Sequence, residues 1–98
     1  MTSEAGAKFG NFPVCEVVPT IIDVAKKEGL GKLKHPEDQG LVLEFAEVYI
    51  TFFNNPDNDQ LRNEFFQLIH KLQANELLRS IAISSALRAH ASLRQKFS

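Results

Sequence analysis

The stretch Leu41–Phe53, LVLEFAEVYITFF, constrains the fold more than any other part of the chain. It is the most apolar run, and its clearly polar members are Glu44, Glu47 and Thr51. On a helix these three share one narrow stripe, because positions i, i+3 and i+7 lie on one side. The spacing therefore predicts a central helix, wet along that stripe and packed against neighbours elsewhere. A strand is the alternative, since Val42, Val48, Ile50 and the aromatic residues suit a sheet. Strict alternation fails, however: Leu41, Val42 and Leu43 are consecutive, and Glu44 and Glu47 differ in parity. With Pro36-Glu37-Asp38-Gln39 leading into it, the segment is also long for a strand. Pro36 suits a first helical position, and Glu37 and Asp38 oppose the helix dipole there. Gly40 weakens the early turns, and a closely approaching backbone would justify it.

Amphipathic partners follow on either side. Val14, Val17, Val18, Ile21, Ile22 and Ala25 recur with helical spacing, interrupted by Pro19. Two starts are open: a helix from about residue 20, with Thr20-x-x-Asp23 as a capping box, or a first turn from Pro13 kinked at Pro19. The first is adopted, and Gly29 ends the helix behind Lys26 and Lys27. Leu30 and Leu33 are available to cover the edge of the core. Asn54-Asn55-Pro56-Asp57-Asn58-Asp59 is the strongest turn signal, and Asp57-x-x-Gln60 resembles a capping box. The helix after it aligns Leu61, Phe65, Leu68, Ile69 and Leu72, with Phe66 off the stripe. Beyond Leu72 the apolar phase slips. A break near Gln73–Asn75 with Asn75 as a new cap explains the slip better than one bent helix. The last helix is rich in small residues. Its first half, with Leu77, Leu78, Ile81 and Ile83, resembles core, and its second half is expected to be less committed and free to project.

The expected fold is thus all-α: a small four-helix bundle with helices at about 20–29, 36–53, 57–73 and 76–96. Short connections make successive helices antiparallel. Residues 1–12 are expected to be a flexible tail from which Phe9 or Phe12 docks, and 13–98 one helical domain. An α+β fold follows if residues 41–53 form a strand.

Charge is unevenly distributed although the net value is only −1. Residues 1–36 carry about +1, residues 37–76 about −6, and residues 77–98 hold Arg79, Arg88, Arg94 and Lys96 without an acid. The last helix either meets the acidic middle within the fold or offers a basic face to a partner. The lone Cys15 precludes an internal disulfide, which fits a reducing intracellular, cytoplasmic setting. It is expected to be a small buried hydrophobe. The first twelve residues lack a charged-then-apolar signal pattern, and no apolar run has the length of a membrane span.

Chemistry is sparse. The chain contains no phosphate-cradling glycine motif and no G-x-S-x-G. His35, His70 and His90 are far apart, without metal-ligand spacing, and each is expected at the surface or half-buried. Asn55, Asp57 and Asp59 have the spacing of a calcium loop, but Gln60 and Phe66 stand where it needs glycine and glutamate. Glu44 and Glu47 are the only plausible paired carboxylates, more simply solvated acids. The expectation is therefore no enzyme, no cofactor and no metal. The expected role is a non-catalytic interaction or oligomerisation module: an adaptor, regulator or small subunit that binds another protein or its own copy. Ala82, Ala86, Ala89 and Leu93 are its candidate contacts, because small side chains allow close helix approach. The alternative is nucleic-acid binding by Arg79, Arg88, Arg94 and Lys96, which would be weak and salt-sensitive.

Overall fold

The computed structural model describes Phe9 and residues 12–97. Four helices account for most of them, and no described residue is in a strand. The architecture is a small four-helix bundle. Helix α1 spans Val14–Glu28, a 3-10 turn Leu30–Lys32, α2 Pro36–Asn54, α3 Asp59–Leu72 and α4 Glu76–Phe97.

Helix α1 begins well before residue 20 and carries Pro19 in its interior. Extended Pro13 starts it, its carbonyl accepting from the amides of Glu16 (2.9 Å) and Val17 (3.1 Å). Pro19 removes one helical hydrogen bond, the one to the Cys15 carbonyl. Cys15 lies on the exposed side, so water can serve that carbonyl. The same placement corrects the expectation of a buried thiol: Val17, Ile21 and Ala25 form the core stripe, and position 15 falls off it. Complete burial of Val17, with Phe12 packed just before the helix, offsets the proline. Gly29 closes the helix at φ 112°, a left-handed conformation costly for any residue with a side chain. Leu30 and Leu33 then both turn into the core.

The run at 41–53 is helical, as its pattern requires, but it is not wrapped on all sides. Val42, Phe45, Ala46 and Ile50 are buried on one face. Leu41, Leu43, Val48, Tyr49 and Phe52 are half-covered, and Phe53 is 53% exposed. Nor is the polar stripe uniformly wet: Glu44 is exposed, Glu47 half-buried and Thr51 buried. The Thr51 hydroxyl donates to the Glu47 carbonyl (2.8 Å), which makes its burial tolerable. Gly40 has open space where a Cβ would sit, so no close backbone accounts for it. The last carbonyls of α2 are served by side-chain amides. Asn54 donates to Ile50 O (3.1 Å) and Asn55 to Thr51 O (3.0 Å). Asn54 also donates to the carbonyl of Phe9 (2.9 Å), whose ring is buried. Both Phe9 and Phe12 dock; the remainder of the expected 1–12 tail lies outside the described residues.

Helix α3 starts at Asp59 rather than 57, because Asn58 is the cap: its Oδ1 accepts from Leu61 N (3.1 Å). Asn75 likewise caps α4, accepting from Leu78 N (3.2 Å), so residues 57–96 form two helices.

The organising element is α4, which packs most extensively on α2 and then on α1. Its inner face is Leu78, Ile81, Ala82, Ser85, Ala86, Ala89, His90 and Leu93. Small residues at 82, 85, 86 and 89 let its backbone approach its neighbours. The expectation that its second half projects is overturned: Ala89, His90 and Leu93 are buried and Phe97 packs on the core. Its first half is less buried than expected, since Leu77 and Ile83 are 47% and 41% exposed. The ion pairs Lys96–Glu16 and Arg88–Glu28, both 3.1 Å, run antiparallel along α1 and α4.

Candidate functional site

Helix α3 is fastened to α2 rather than to α4. The Phe65 ring stacks on Phe45 (5.3 Å) and Phe52 (5.5 Å) and lies 6.1 Å from Tyr49. Such aromatic pairs contribute beyond the area they bury. Contact between α3 and α4 is slight by comparison. The two therefore diverge above α2 and leave a groove of about 250 Å³. Phe45 and Tyr49 form its floor, Phe65, Ile69 and Leu72 one wall, and Arg79, Ile83, Ala86 and Leu87 the other. Ile83 and Leu87 are held there by the register of α4, whose opposite side is committed to α1 and α2. Leu87 remains 50% exposed. Exposed apolar rings continue the surface: Phe66 beside Phe65 (6.2 Å) and Phe53 beside Tyr49 (6.1 Å).

Beyond Tyr49 lies His90, buried rather than at the surface. Its ring is 4.4 Å from Phe53, 5.6 Å from Tyr49 and 6.0 Å from Phe12. Burial, and secondarily the positive charge of Arg94, lower its pKa below the ordinary histidine value. Its role is packing between α2, α4 and the segment before α1. His35 and His70 are exposed.

The contacts expected on α4 separate into two groups. Ala82, Ala86, Ala89 and Leu93 are fully buried inside the monomer, which corrects their assignment to a partner surface. Small side chains signal close helix approach, and here the approach is intramolecular; only Ala86 also reaches the groove. The four cations are all exposed but not equivalent. Arg88 and Lys96 pair with Glu28 and Glu16 of α1, whereas Arg79 and Arg94 have no carboxylate partner among the described residues. Arg79 lines the groove. Arg94 follows Leu87 by seven positions, about two turns, and so continues the same side of the helix.

Acids lie on the other flank of α2. Glu44, Glu47 and Glu64 border a separate hollow with Leu43, Val48, Thr51 and Leu61. Among the described residues no group of His, Cys, Asp or Glu side chains is placed to hold a metal ion. None of the described helices is long and apolar enough to cross a membrane. The residues missed from sequence were Ile83, Leu87 and Phe66. Their signal was an apolar residue off the main stripe, visible at Phe66 but without an assigned destination. No protein-family model matches the chain, and no curated protein or solved structure matches it at a significant level.

Proposed function

We propose that this chain is a non-catalytic protein-interaction module that seats an apolar segment of another chain in the groove between α3 and α4. The observation that carries this reading is the set of large apolar side chains left half-exposed around one concavity. Ile83 and Leu87 line the groove at 41% and 50% exposed, and Phe53 and Phe66, 53% and 52% exposed, adjoin its Tyr49 and Phe65 rings. Scattered exposed apolar residues are ordinary, but a contiguous set around a groove marks an interaction site. Antiparallel helices diverging over a third make the kind of apolar cleft that receives a helix. The nucleic-acid alternative has less in its favour, because carboxylates already hold two of its four cations.

The test is selection of helical peptides from a displayed library against the full chain, followed by mapping with methyl-labelled protein. Selected peptides that shift the methyl signals of Ile69, Leu72, Ile83 and Leu87 support the reading. Failure to select any peptide, or shifts confined to other residues, overturns it.

A further inference from the structure

We infer that the occupant of the groove is an acidic amphipathic helix of a different protein, with carboxylates placed to meet Arg79 and Arg94; this rests on the interaction reading above. Three features of the groove select that chemistry. The first is length. Arg79 to Leu87 is eight positions of α4, about 12 Å at 1.5 Å per residue. Apolar anchors at i, i+3 or i+4, and i+7 on an incoming helix span about 10.5 Å, so three of them fit along the walls. The second is size. A dry cavity of about 150 Å³ takes one benzene ring. The groove, at about 250 Å³, therefore encloses one or two of these anchors while the third rests on its exposed rim, and it is smaller than a drug-sized ligand needs.

The third feature is charge. Arg79 stands in the groove wall and Arg94 two turns beyond Leu87, and neither has a carboxylate partner among the described residues. The nearest acid on α4 is Glu76, one turn before Arg79, but it makes no ion pair with that arginine among the described residues, and residues 77–98 contain no acid. The acids of α2 and α3 nearest the bundle's middle, Glu44, Glu47 and Glu64, border the hollow on the opposite flank. Arg94 borders a neighbouring hollow with Arg88 rather than the groove itself, so a lysine-bearing helix would meet unpaired like charge in the groove wall at Arg79 and again past its Leu87 end, whereas an acidic one would find a partner at each place. The same argument disfavours a second copy docked about a two-fold axis, because that arrangement sets the same patch, and so the same arginines, against itself.

The experiment uses two synthetic helical peptides of about 20 residues, long enough to hold helical structure. They share leucine anchors at i, i+4 and i+7 and differ only in flanking glutamates or lysines. Fluorescence anisotropy measures their affinity for the full chain. At about 50 mM salt the glutamate peptide is expected to bind about tenfold more tightly, and the preference shrinks at about 300 mM as screening strengthens. The double variant Arg79→Gln, Arg94→Gln loses the preference but retains binding. Leu87→Asp, at a half-exposed position, loses both peptides while its circular dichroism stays helical. Equal affinity of the two peptides, with methyl shifts in the groove, overturns the charge assignment and leaves the interaction reading intact. No binding of either peptide counts against the groove itself. Self-association of the chain that either peptide disrupts makes a second copy the occupant and overturns the inference.

Discussion

Ser85→Ala should make this protein more stable, and the reason lies in where α4 sits. Ser85 is fully buried on the inner face of α4, and its hydroxyl has no hydrogen-bond partner among the described residues. A buried polar group left unpaired costs about 1–3 kcal/mol in desolvation. Alanine removes that cost, and as the better helix former it adds about 0.5 kcal/mol. Against this stands the space vacated by one oxygen, which at the usual cavity cost is worth about 0.5 kcal/mol. The helix-propensity gain and the cavity loss cancel, leaving a net gain of about 1–3 kcal/mol. For a domain of this size each kcal/mol raises the Tm by about 4–8 °C, so the low end of the range is already measurable. Ser92→Ala provides the internal reference, because Ser92 is the same residue type on the same helix but exposed. It should show the propensity gain alone. Urea titration followed at 222 nm, with the slope unchanged between variants, measures both. Equal midpoints for the two variants, or a loss of stability in Ser85→Ala, would refute the placement of α4 as the interior helix.

Other expectations follow from the same packing. Leu93→Ala should cost about 2–5 kcal/mol, since Leu93 is fully buried and its truncation opens a cavity; a midpoint within error of wild type in urea would return Leu93 to the surface. His90 has a pKa lowered by burial and by Arg94, so the unfolded chain takes up its proton first. Its contribution to stability is therefore intact above about pH 6.5 and is lost as the pH falls through that value toward the folded-state pKa. Urea midpoints between about pH 7.5 and pH 5 should show this dependence in wild type, and much less of it in His90→Phe. The two glycines should respond oppositely to alanine in thermal melts. Gly40→Ala gains up to about 1 kcal/mol in an open helical position, whereas Gly29→Ala loses about 1 kcal/mol or more at its positive φ.

Much of the fold was legible because it was encoded locally. The phase slip after Leu72, the cap at Asn75, the Pro36 start and the Gly29 stop all act within a few residues, and each marks an element boundary in the structure. Local rules failed where a distant contact outweighed them. Pro19 argued for a late start to α1, but Val17 and Phe12 gain more from burial than the proline loses. The stripe of alanines on α4 was correctly recognised as a close-approach face. Sequence could not say whether the approaching helix belonged to this chain or to another, because the requirement for small side chains is the same in both cases.

The candidate site shows the division most clearly. Apolar periodicity, with the local cap, proline and glycine signals, determined that the chain makes four helices around a phenylalanine-rich core, since each of these is a property of one segment by itself. Tertiary structure decided that Phe65 would stack onto α2 and hold α3 away from α4. It also decided which cations found carboxylates, and which apolar residues, Ile83 and Leu87 among them, were left without cover. A groove is the space between elements, set by how their packing angles combine, and no single segment carries that information.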